Sequence, residues 1–154
     1  MKRAVSSYRF SKTIHAPLWF VYDWCTDYRE DDSKIIGAKS RRLILEKTKR
    51  RAVYINQQKG TDVGTAIYIV TFHPPKSWDL NSIRAERDTR GYYRLRKLGP
   101  SSTKLNIFFK LKWKMTPTST KAGLLRYLDE IWDKYGAALE REYKRNQKKV
   151  CKGN

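Results

Sequence analysis

Apolar positions in the last third of the chain recur at steps of three and four residues. Leu125, Leu128, Trp132, Tyr135, Leu139 and Tyr143 fall on one helical face, Leu124 and Ile131 widen the stripe, and Arg126, Asp129, Glu130, Asp133, Lys134 and Glu140 take the other side. Arg126 with Glu130, and Glu130 with Lys134, sit at the four-residue spacing that pairs charges along a wetted surface. Pro117, Thr118, Ser119 and Thr120 supply breaker and cap chemistry. The spacing therefore predicts a helix over 119–149, roughly 40 Å long, which needs a broad partner surface. A coiled-coil seam is the lesser reading, because the heptad lasts only about two repeats before aromatics and Gly136 interrupt it.

Upstream the period changes to two. Residues 5–14 alternate as a strand with Tyr8, Phe10 and Ile14 on one face, and Pro17 then opens a short, almost wholly apolar helix, Leu18 to Thr26. An acidic stretch from Asp27 to Lys34 reads as a second short helix or a loop ending at Gly37. Strands follow over 41–48, 52–58, 65–73, 78–86 and 92–98, with turns expected at Lys49–Arg50, Pro74–Pro75, Arg87–Gly91 and Gly99–Ser101. The clearest strand places Leu105, Ile107, Phe109, Leu111, Trp113 and Met115 opposite Asn106, Phe108, Lys110, Lys112 and Lys114. The order is strand, two short helices, six strands in hairpin succession, long helix. A sheet of that size twists and curls, and its concave face needs the terminal helix as a cover. The whole of 1–154 is expected to be one domain, with a basic C-terminal tail from about residue 146.

Charge changes this picture more than composition does. Lys and Arg number 34 against 15 acids, for a net charge of +19, so an anionic partner is expected: nucleic acid, a lipid surface or an acidic ligand. Ten of the acids lie in the helical segments, whereas 19 Lys and Arg fall between Lys39 and Lys114, so the sheet is the positive part. Cys25 and Cys151 make no disulfide framework, and His15 and His73 lie far apart without ligand spacing, so neither a metal nor a cofactor is expected. No signal-peptide pattern and no membrane-spanning run is present, which points to a cytoplasmic protein. No nucleophile, base and orienting acid stand in a recognisable relation, so no catalytic residue is assigned. Arg84, Glu86, Arg94 and Arg96 would form an interior acid/base group if their strands face inward, and a solvated stripe if they face out.

Several landmarks carry a resemblance. Ile14, His15, Ala16 and Pro17, leading through Val21 and Trp24 to Thr26, Asp27 and Tyr28, resemble the I-x-A-P opening with its following W and T-D in the START-like, or SRPBCC, superfamily. Gly64–Thr65, the Pro74–Pro75 break, and Leu98 to Leu105 with its T-x-L strand start resemble later landmarks of that group, so the match spans about Tyr8 to Arg145. The group includes polyketide cyclases and dehydrases, START lipid-transfer domains and plant pathogenesis-related allergens. The resemblance implies an α+β helix-grip fold: a curved seven-stranded antiparallel sheet, with two short helices after strand 1, wrapped around a long C-terminal helix. It also implies a cavity between sheet and helix for a hydrophobic or amphipathic guest, and the fold hosts carriers, receptors and enzymes alike.

Inward candidates for lining that cavity are Tyr54, Tyr68, Trp78, Tyr93, Phe109, Trp113, Trp132 and Tyr135, rings that either fill a core or, with their polar tips, orient a guest. Hairpin parity gathers the loops at Lys59–Gly64, Arg87–Gly91 and Thr116–Thr120 at one end, the end that opens in the family, where Lys59, Arg87, Arg90 and Lys121 would offer positive charge to an anionic head. The working expectation is binding or transport of a hydrophobic or amphipathic small molecule or lipid, the anionic ones included. Two alternatives stand beside it: nucleic-acid or anionic-surface binding through the basic sheet, and a polyketide cyclase/dehydrase-like enzyme. The oligomeric state is not legible.

Overall fold

A computed structural model describes residues 4–58, 64–117 and 120–153. Strand β1 (Val5–Ile14) leads into helix α1 (Leu18–Thr26) and a short 3-10 helix (Asp32–Ile36); β2 (Ser40–Lys47), β3 (Arg51–Gln58), β4 (Ala66–His73), β5 (Ser77–Ile83), β6 (Arg87–Gly99) and β7 (Ser102–Trp113) follow, and α2 (Lys121–Lys152) ends the chain. All neighbouring strands are antiparallel, in the order β1-β7-β6-β5-β4-β3-β2. Six strands form a meander, and β1 closes beside the last of them. This is the α+β helix-grip arrangement, and the second expected helix is a single 3-10 segment stopped by Gly37 in the left-handed region (φ 69°).

Alternation decides what faces inward. On β7, Thr103, Leu105, Ile107, Phe109, Leu111 and Trp113 are all buried, while Asn106, Lys110 and Lys112 are exposed. Met115 falls beyond the strand and is exposed, so it does not extend the inner row. A second expectation needs correction: Arg87–Gly91 is not a turn. The β5–β6 hairpin closes earlier, where the Arg84 amide donates to the Arg87 carbonyl at 3.0 Å, and Gly91 lies inside β6. Its glycine serves packing instead, because a Cβ there would come within 2.8 Å of the Phe109 ring.

Helix α2 begins at Thr120, whose hydroxyl accepts from the Gly123 amide at 3.0 Å. No proline or glycine interrupts it after Gly136, so the basic C-terminal stretch is helical and exposed as far as Lys152. Along its length the helix is held at its flanks. Lys12 on β1 meets Asp129 at 2.7 Å and Asp133 at 2.6 Å; the His15 amide donates to Glu140 at 2.8 Å; and the Trp24 indole donates to Glu142 at 2.8 Å. Leu124 and Leu139 are buried, but Leu128, Ile131, Trp132 and Tyr135 between them are only partly so. The α1 end is packed solid around Ile14, Val21, Leu105 and Leu139, with the Thr103 hydroxyl donating to the Ala16 carbonyl at 2.9 Å. The middle of α2 stands over open space.

The outer sheet face has two halves. Leu43, Ile55, Ile67 and Ile83 align in one cross-strand row over β2–β5, and Leu43, Ile67 and Ile83 are more than two-fifths exposed. Arg9, Arg90, Arg94, Arg96, Lys110 and Lys112 occupy the outward positions of β1, β6 and β7. Among the described residues, no helix is long and apolar enough to cross a membrane.

Candidate ligand-binding cavity

Between α2 and the inner face of β2–β6 lies a cavity of about 740 Å³. Its floor is built by register. Tyr54 on β3, Tyr68 on β4, Ser82 on β5 and Thr89 on β6 stand side by side in one cross-strand row. Side chains in that row shrink from tyrosine to serine and threonine, which hollows the floor toward the β5–β6 turn. Trp78, Tyr93 and Phe109 form the next wall, and Trp132 and Tyr135 descend from α2.

Flat ring stacking fixes the aromatic walls. Tyr54 and Tyr68 are stacked with centroids 4.8 Å apart and planes 7° off parallel, and Trp78 lies on Tyr93 at 4.9 Å and 6°. Trp132 closes onto Tyr93 at 5.6 Å. Seven of the eight expected lining rings, Tyr54, Tyr68, Trp78, Tyr93, Phe109, Trp132 and Tyr135, meet at this space. Trp113 is buried outside the lining, under the Arg87 guanidinium at 5.1 Å, because β7 has run past the hollow by then.

Sequence reasoning missed the polar group at the β2 side. Arg42 points inward and holds Asp32 at 2.5 Å, Asn56 at 3.3 Å and the Arg29 carbonyl at 3.0 Å, while its guanidinium covers the Tyr54 ring at 4.5 Å. Burial pushes the Asp32 carboxyl up, against the pull of Arg42. A run of Arg41, Arg42, Leu43, Ile44 and Leu45 alternates equally well in either phase, so nothing in it said which arginine faced in. Tyr28, at 5.4 Å from Tyr54, joins the wall from the segment after α1 and carried no periodic signal.

The suspected group of Arg84, Glu86, Arg94 and Arg96 is divided by the hairpin. Arg84 lines the cavity and donates to the Tyr68 hydroxyl at 2.6 Å, with Glu86 at 3.8 Å. Arg94 faces outward and pairs with Asp79 at 3.0 Å, and Arg96 is exposed on the same face. Of the charges expected at the mouth, Arg87 lines the cavity. Arg90 does not: it faces outward and donates to Asn81 at 3.1 Å, because odd and not even positions of β6 point in. Lys121 lies over the Tyr8 ring at 5.9 Å, outside the lining, and Lys59 falls outside the described residues. The lining residues that are themselves exposed are Gly37, Lys39, Gln58, Tyr127, Glu130 and Lys134, which puts the opening between the start of β2 and one flank of α2.

Burial sets the chemistry. It raises the phenols of Tyr28, Tyr54 and Tyr93 well above their ordinary value, moves Tyr135 to about 12, and pushes the Cys25 thiol up as well. These groups stay protonated at neutral pH. No histidine lies in the lining, and among the described residues no three His, Cys, Asp or Glu side chains are grouped to hold a metal.

No family model matches the chain, and no curated protein matches it in sequence. Solved structures do match in shape. The Zhui aromatase/cyclase from Streptomyces sp. R1128 aligns over 92% of this chain and 95% of its own, with a TM-score of 0.66 at 14% identity. Ara h 8.0201 aligns over 88% and 98%, with 0.63 at 10% identity. A START superfamily protein from Mycobacterium smegmatis aligns over 90% and 97%, with 0.61 at 13% identity. At these identities the likeness is one of fold.

Proposed function

Starting from the helix-grip fold of the START-like (SRPBCC) superfamily, which this architecture shares, we propose that the protein binds or carries a hydrophobic or amphipathic small molecule between its sheet and its C-terminal helix. One observation carries the reading: a core that could have been filled is instead a cavity of about 740 Å³ with stacked aromatic walls and an opening beside α2. Native interiors hold few voids larger than a water, so open space of this size supports a binding role. Rings with hydroxyl tips hold an apolar body by stacking and orient it by a few hydrogen bonds. A polyketide cyclase/dehydrase-like reaction is the weaker reading, since the phenols and the thiol of the lining are protonated and its part-buried carboxylate, Asp32, is already held by Arg42 at 2.5 Å.

Native mass spectrometry of the purified protein tests the proposal. A co-purified mass in the lipid or small-aromatic range is expected, along with quenching of tryptophan emission from Trp24, Trp78 and Trp132 when an apolar ligand is titrated in. A protein that is empty as isolated and indifferent to every apolar probe would overturn it.

A second reading concerns the outer face. Its basic half adjoins the exposed aliphatic row of Leu43, Ile55, Ile67 and Ile83, a pairing that suits an anionic bilayer better than nucleic acid. Tyr92 and Phe108 do stack there at 5.9 Å, but Arg94 and Arg9 already cover their rings at 6.0 and 5.2 Å, which leaves bases little to stack on. Co-sedimentation with vesicles containing anionic lipid, lost in Leu43→Ser/Ile67→Ser and weakened by salt, is the expected result. Equal retention on single-stranded nucleic acid and none on vesicles would reverse the choice.

A further inference from the structure

The charges lining the cavity are compensated at one end and not at the other. At the β2 side Arg42 has its own carboxylate, Asp32, at 2.5 Å, with an amide and a carbonyl besides. Beneath the β5–β6 turn two arginines share one acid. Glu86 lies 3.8 Å from Arg84 and 3.9 Å from Arg87, beyond hydrogen-bonding reach of either. The Arg87 Nε is shielded from solvent and has no hydrogen-bond partner among the described residues. Burial and the neighbouring charge of Arg84 lower the Arg87 pKa, and Glu86 only partly offsets them. A guanidinium donor left unpaired out of water is costly, and a chain that neutralises Arg42 so fully has left this corner open. The floor below it holds the smallest side chains of its row, Ser82 and Thr89.

We infer that this corner is an anion subsite: the guanidiniums of Arg84 and Arg87, above Ser82 and Thr89, receive the carboxylate of an amphipathic guest whose apolar part lies against Tyr93, Phe109 and Trp132. Among the described residues, two guanidiniums and one glutamate leave a single positive charge over, which one carboxylate balances. The planar fork of arginine matches that group in two parallel hydrogen bonds. Arg84 is already aimed by its 2.6 Å bond to the Tyr68 hydroxyl, so the subsite is partly set before the guest arrives. The inference rests on the cavity reading above and adds to it the class of ligand.

Tryptophan-quenching titrations with oleate and oleyl alcohol, equal in chain and different in head, test it. For the natural protein at physiological salt, oleate should bind about tenfold or more tighter than the alcohol, the ratio expected of one added charge-assisted contact. In Arg84→Gln/Arg87→Gln that ratio should fall to near unity, whatever the change in absolute affinity for the alcohol. Arg87→Gln alone, which leaves the Arg84–Tyr68 bond in place, should remove most of the preference without touching the floor. Arg94→Gln/Arg96→Gln, on the outer face, should keep the full ratio and so separate the subsite from the general positive charge. Equal binding of both probes by the natural protein, or a ratio that survives the double substitution, overturns the inference while the cavity reading stands. If neither probe binds, the cavity reading fails and the subsite with it.

Discussion

The indole nitrogen of Trp24 donates to the Glu142 carboxylate at 2.8 Å, joining α1 to the long helix across 118 residues of sequence. Arg29 adds a looser contact to the same oxygen at 3.5 Å. Glu142→Ala would strand a part-buried N–H and should cost about 1–3 kcal/mol, read as a lowered urea midpoint. Glu142→Gln, which keeps an acceptor, should recover most of it. A midpoint unchanged in the alanine variant would show the contact to be dispensable.

Lys12 ties the other half of α2 to β1. Burial alone would lower its pKa, but hydrogen bonds to Asp129 and Asp133 outweigh that and raise it above 10.5. A raised lysine contributes stability that is whole below the ordinary value and is lost as pH climbs through the folded one. Lys12→Met should therefore cost about 1 kcal/mol near neutrality, modest because the two aspartates are half exposed. The gap between variant and parent should narrow above pH 10.5. A gap constant over that range would mean that packing, not charge, holds the joint.

The buried phenols give the protein an alkaline limit. Tyr135 moves from 10.0 to about 12, and Tyr28, Tyr54 and Tyr93 are raised by burial too. The unfolded chain releases these protons first, so stability should hold below pH 10 and decline from there toward 12. Spectroscopic titration should show Tyr28, Tyr54, Tyr93 and Tyr135 ionising only with unfolding. Ten phenols titrating together near 10 would remove the basis for calling the lining protonated.

The two thiols should separate in reactivity. Cys151 is exposed on the last turn of α2, and Cys25 is part of the cavity lining with its thiol held neutral. A thiol reagent should consume one equivalent at once and the second slowly. An apolar ligand should slow the second step further, and no such slowing would argue that the guest lies elsewhere.

Period and parity made most of the architecture legible. The α1 boundaries, Leu18 to Thr26, follow from one proline and an almost wholly apolar run, and β7 from strict alternation. Seven of the eight rings expected inward line the cavity, because Tyr54, Trp78 and Tyr93 share their strands with inward aliphatics. What stayed hidden depends on phase and turn length. Placing the β5–β6 turn a few residues late put Arg90 at the mouth, when its strand points it outward. Arg42 and Asp32 meet only because a 3-10 segment and an edge strand converge, which no local pattern records.

Gly91 bears on how roomy this interior is. Because it carries no side chain, the Phe109 ring settles back against β6 and leaves to the guest the space it would otherwise fill. A methyl group at that one position would arrive 2.8 Å from the ring and force it to shift. The capacity of the chamber is thus written in a missing atom: enlarging residue 91 step by step would narrow it by moving the Phe109 ring, without replacing any residue of the lining.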